Sequence, residues 1–97
     1  MEKKQSYKLI DGEFDPSEAR NVLFVLVNSK INFHSRTSFA IKERTSGDTS
    51  FHEKRKKELE QTNIDLRKVL EYAEKNKLRL RIDGNIEIKL IDESTDN

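Results

Sequence analysis

His34 and His52 are the only histidines of the chain, and they fall within its richest run of hydroxyl side chains, INFHSRTSFAIKERTSGDTSFHEKRKK, residues 31–57. An imidazole there could ligate a metal or act as a base. Zinc sites, however, draw three or four ligands from Cys, His or carboxylate. The chain has no cysteine, and only Asp48 and Glu53 stand close by in sequence. No HExxH spacing is present. The expectation is two polar histidines flanking a loop, near enough in space to approach each other. Ser35 or Ser50 with a histidine and Asp48 supplies the residue types of a nucleophilic triad, but a triad is defined by geometry. No GxSxG elbow exists, and three glycines leave little material for an oxyanion loop. The sequence therefore predicts no catalytic residue, no metal and no cofactor: a non-enzyme.

Two triplets, Arg36-Thr37-Ser38 and Arg44-Thr45-Ser46, offer different chemistry. A guanidinium beside hydroxyls suits a phosphate, and a helix starting near residue 50 would add free backbone donors. Lys54-Arg55-Lys56-Lys57 extends the positive run. Against this, Glu53, Glu58 and Glu60 are interleaved with it, and charge runs are usually solvated surface. Arg79 and Arg81 form a second basic feature near the C-terminal end. Candidate anion or nucleic-acid contacts are thus Arg36, Arg44, Lys54, Arg55, Lys56, Arg79 and Arg81.

The elements that position these residues follow from pattern. Tyr7 to Ile10 is β-prone and ends at Asp11-Gly12. Asp15, Pro16 and Glu18 then give cap, first helical position and acidic first turn, which predicts a helix from Pro16 to about Lys30. Its apolar residues between Val22 and Val27 run all round the cylinder, so it needs cover on several sides. Residues 34–50 read as a connector broken at Gly47-Asp48. Ser50 and Glu53 have capping-box spacing at the head of a second helix, Phe51 to about Asn76. Leu59, Leu66, Val69, Leu70 and Ala73 share a face of that helix, with Lys54–Glu58, Lys56–Glu60 and Glu71–Lys75 as outward ion pairs. In LRLRIDGNIEIKL, apolar residues alternate on both sides of Asp83-Gly84-Asn85, which predicts a C-terminal β-hairpin with a three-residue turn.

The fold class is α+β in the order β-α-α-β-β: a small antiparallel sheet with a C-terminal hairpin packed on two helices. One domain spans 6–92, and 1–5 and 93–97 are expected to be disordered tails. Net charge is only +1, and apolar residues are 33% of the chain, so the core is thin and oligomerisation would supply the missing burial. Val22, Leu26 and Ile31 are the expected dimer interface. No apolar run approaches the roughly 20 residues of a membrane helix, and no secretory leader is visible, so the expected location is cytoplasmic. The functional expectation is a protein–protein interaction or regulatory module, homodimeric or docked on a protein partner. The alternative is a nucleic-acid-binding protein using the 36–57 loop-helix and the outer face of the 78–90 hairpin. Balanced charge and a pI near 8.0 disfavour it.

Overall fold

Two long helices and two long strands follow each other in the order β1 (Lys4–Phe14), α1 (Pro16–Thr45), α2 (Ser50–Lys75) and β2 (Leu80–Lys89). The structure, a computed structural model, describes residues 1–93. The helices fold back on each other as a hairpin, and the strands pair antiparallel as a two-stranded ribbon at the helices' chain-terminal end. The class is α+β, as the sequence pattern predicts.

α1 starts where the cap signal places it. The Asp15 carboxylate accepts from Glu18 N at 2.8 Å, and the Glu18 carboxylate accepts from Asp15 N at 3.0 Å, a complete capping box with Pro16 in the first turn. The helix does not end near Lys30. It continues to Thr45 and absorbs most of the expected connector, leaving only residues 46–49 between the helices. Residues 31–45 are rich in Ser, Thr and Asn, which favour caps and turns over helix interiors. Packing overrides that preference: His34 and Ser38 are buried, and Ile31 and Ile41, on the same row at helical spacing, are half-buried. Ser46 closes the helix in the left-handed region at φ 52°.

α2 ends in a Schellman arrangement. Leu78 N donates to Ala73 O at 2.8 Å and Lys77 N to Glu74 O at 3.3 Å, with Lys77 at φ 57°. Of its expected apolar face, Leu70 and Ala73 are buried, Leu59 and Leu66 half-buried, and Val69 exposed.

The expected C-terminal hairpin is not formed. β2 runs straight through Asp83-Gly84-Asn85, and its partner is β1. The cause is parity. Leu80, Ile82, Gly84, Ile86 and Ile88 are all at even positions, so one unbroken strand puts them on one face. A three-residue turn preserves that parity, and the two readings therefore share one pattern. Gly84 has no positive φ and lies opposite Ile10. On β1 the register shifts between Lys8 and Ile10. This bulge at Leu9 lets Tyr7 and Ile10, odd and even, share the face that meets Ile86 and Gly84. β1 begins at Lys4, so two residues of the expected N-terminal tail belong to the ladder. Of the expected tail 93–97, residues 94–97 lie outside the described residues.

The result is a slab of 55 × 36 × 14 Å. Its radius of gyration is 17.4 Å, where a compact chain of this length has about 12.5 Å. Its accessible surface is 7858 Å², against roughly 5,800 Å² for a compact monomer of this mass. Among the described residues only Ala19, Leu70, Ala73, His34 and Ser38 are buried. The excess surface is apolar in large part, including Tyr7, Leu9, Val25, Leu26, Phe33 and Ile86.

Candidate functional site

The distal half of the helical hairpin is held by polar groups. His34 is 2% exposed, and both of its ring nitrogens have partners. Its Nε2 lies 2.9 Å from Lys30 Nζ, one turn earlier on α1, and its Nδ1 lies 2.9 Å from His52 Nδ1 on α2. An ammonium only donates, so Nε2 of His34 accepts, its proton sits on Nδ1, and His52 Nδ1 accepts in turn. With Lys30 as donor the two contacts run in one direction, a relay from Lys30 to His34 to His52. Phe33 and Phe51 close over it edge-on, with Phe33 at 5.1 Å and Phe51 at 6.2 Å from the His34 ring centroid. Burial holds the His34 pKa below its usual value, and the nearby Lys30, His52 and Arg55 act in the same direction.

One turn further towards the tip, Ser38 Oγ donates to Glu53 Oε2 at 2.5 Å. That hydrogen bond, ahead of Lys42, Lys56 and Lys57, keeps the Glu53 carboxyl below its ordinary range, while partial burial opposes it. Glu53 therefore does not close the expected capping box with Ser50. The start of α2 is organised instead by Asp48, whose carboxylate accepts from Ser50 N at 2.9 Å and is held at a lowered pKa mainly by that bond. The expected approach of His34 to His52 is found. Among the described residues no group of three or more His, Cys, Asp or Glu is placed to hold a metal ion.

The expected basic contacts are dispersed. Arg36 and Arg44 lie on α1 rather than on a loop, and Lys54, Arg55 and Lys56 lie in the first turns of α2. Arg55 pairs with Glu58 at 2.5 Å, a neighbour other than those the sequence suggested. Arg79 and Arg81 belong to the other end of the molecule. Arg79 donates to Glu13 O at 3.3 Å, just before α1 begins. Arg81 forks between Asp11 and Asp83, whose carboxylates neutralise it. The hydrogen bond from Arg81, ahead of Lys8, lowers the Asp11 pKa. The two basic regions are separated by much of α1, which is about 45 Å long at 1.5 Å per residue. They do not form one surface.

The third feature is the outward face of α1. Val22, Val25, Leu26, Ser29 and Phe33 fall on one row at three- and four-residue spacing. Val25 is 63% exposed, Phe33 46% and Leu26 39%. Shallow grooves along the row are lined by Leu9, Ile10, Val22, Val25 and Leu26, and by Leu26, Ser29 and Phe33. Val22 and Leu26 of the expected interface lie on it. Ile31 lies on the row of Val27, His34 and Ser38, which faces α2.

No helix among the described residues is long and apolar enough to cross a membrane. Comparison of the chain with protein-family models, with curated proteins and with solved structures finds no match.

Proposed function

We propose that this chain is a non-enzymatic assembly module that works as a homodimer, with the outward row of α1 as its contact surface. The observation that carries the reading is the character of that row. α1 has no acidic residue between Glu18 and Glu43, and Lys30, the basic side chain beside Phe33, is engaged with His34. α2, by contrast, carries charge along its whole length. Loss of charge with retention of aliphatic and aromatic groups is the compositional mark of an interface centre.

Area supports the same conclusion. The slab exposes about 2,000 Å² more than a compact chain of its mass. A standard interface removes about 800 Å² per partner, so one dimer contact would recover a large share of that excess. The row is also self-complementary. Glu18 and Arg36 lie on it at opposite ends of the apolar segment, both exposed. An antiparallel crossing of two copies of α1 sets each Glu18 near the Arg36 of the other copy.

Light scattering after size exclusion tests the reading. The expected mass is twice 11.4 kDa. Leu26→Arg should give a monomer that keeps its helical circular dichroism, and Arg36→Glu should weaken the dimer. A fully folded wild-type monomer at micromolar concentration would exclude the reading, as would a Leu26→Arg dimer of unchanged affinity.

A further inference from the structure

The relay at the hairpin tip has room for no additional proton. If His52 Nδ1 is protonated, it must donate to His34 Nδ1. His34 must then move its own proton to Nε2, where it meets the Lys30 ammonium at 2.9 Å, donor against donor. If His34 itself takes the second proton, both of its nitrogens donate and the same conflict with Lys30 arises. Either event breaks one of the two 2.9 Å contacts of the buried His34 ring: the one to Lys30 that fixes it on α1, or the one to His52 that, with Ser38–Glu53, joins the distal half of α1 to α2.

The charged groups around the pair offer little relief. From α1, Lys30 faces His34, and Lys42 lies beyond Ser38 near Glu53. From α2, Arg55, Lys56 and Lys57 add positive charge. Glu58 is engaged by Arg55, and Glu53 is occupied by Ser38 and shared among three lysines. Apolar cover is thin as well, because Phe33 and Phe51 are exposed on their outer sides.

We infer that residues 30–57 form a proton-responsive latch, closed while the buried His34 ring is neutral and opened by mild acid, while the base of the hairpin and the ribbon stay folded. The base rests on Ala19, Leu70 and Ala73, which do not titrate. The sign follows from the lowered His34 pKa. Just below pH 6.5 the opened chain binds a proton that the closed one refuses. The stability of the closed latch is therefore full above about pH 6.5, the ordinary histidine value, and is lost as pH falls towards the folded pKa.

Nitrogen-15 spectra of the histidine rings and amide hydrogen exchange, recorded together from pH 7.5 to 5.5, test the inference. At pH 7.5 His34 should be the Nδ1–H tautomer with Nε2 as acceptor. At pH 5.5 amides of residues 30–57 should lose at least about tenfold in protection, while those of 70–75 and 80–89 keep theirs. Lys30→Met removes one donor of the conflict, so its protection should change with pH less than half as much. Three results would overturn the latch: the opposite His34 tautomer, equal loss of protection in the ribbon and the tip, or a Lys30→Met variant as pH-sensitive as wild type.

Discussion

Gly84 decides between one continuous strand and a hairpin, and the sign of a single substitution reads the answer. In the strand, a Cβ added at Gly84 would stand 3.5 Å from Ile10 Cδ1 and 3.6 Å from Ile10 Cβ and Cγ1, which is ordinary contact. No positive φ opposes it. Gly84→Ala then removes backbone freedom from the unfolded chain, which stabilises by about 0.4–1 kcal/mol where the conformation is compatible. One further methyl on a half-buried face adds a fraction of the roughly 0.8 kcal/mol of a fully buried one. The expected gain is about 1 kcal/mol, or about 4–8 °C in Tm for a domain of this size.

In a hairpin turn with Gly84 in the left-handed region, the same change would cost about 1–2 kcal/mol. Urea unfolding followed by circular dichroism, at one fixed protein concentration, separates the two. Gly47→Ala is the control. Its Cβ would stand 2.8 Å from Thr45 Oγ1 and 3.2 Å from Ile41 Cγ2, so it should destabilise. A Gly84→Ala protein less stable than wild type by about 1 kcal/mol would refute the continuous strand and the parity argument behind it.

Leu70→Ala should cost about 2–5 kcal/mol in the same assay, because Leu70 is fully buried in a molecule with very few such residues; a loss below about 1 kcal/mol would mean the hairpin base is packed elsewhere. Charge reversal of Arg55 and Lys56 together should leave the fold intact, since the exposed Arg55–Glu58 pair contributes at most about 1 kcal/mol. No steeply salt-dependent duplex binding should be present for that reversal to abolish, and tight binding at physiological salt would restore the nucleic-acid reading.

Where the sequence could be read, local chemistry and tertiary structure agree. Asp15-Pro16-Glu18 opens α1 because a capping box is local, and nothing distant competes with it. The far half of α1 was hidden because its inward row is half polar: Ile31, His34, Ser38, Ile41. A buried His and a buried Ser contribute nothing to hydrophobic periodicity, although their spacing is helical. The Lys30–His34 spacing of four was the one local sign of the relay. Ser38 with Glu53 had none, because the two meet only when the hairpin closes. The end of α2 was similarly obscure, since Lys77 takes a left-handed position usually marked by glycine. In β2 the alternation was legible but its partner was not, because antiparallel pairing with β1 depends on how the whole helical hairpin returns the chain.

Phe33 links the proposed contact surface to the proposed latch. Its ring lies on the outward row of α1, packs edge-on against His34 and His52, and carries Lys30 Nζ at 4.7 Å from its centroid. A second copy that covers Phe33 fixes this ring over the neutral His34 ring. Dimerisation and the closed latch must then favour each other, and linkage makes the coupling reciprocal. If each protomer takes up a proton on separating and opening, the dimer Kd rises by up to about 100-fold per pH unit within the titration window. Sedimentation equilibrium from pH 7.5 to 5.5 should show a Kd at least about tenfold higher at the acid end, and Lys30→Met should flatten the dependence. A Kd constant across that range, with exchange data showing the latch open at pH 5.5, would mean that the outward row and the polar tip act independently.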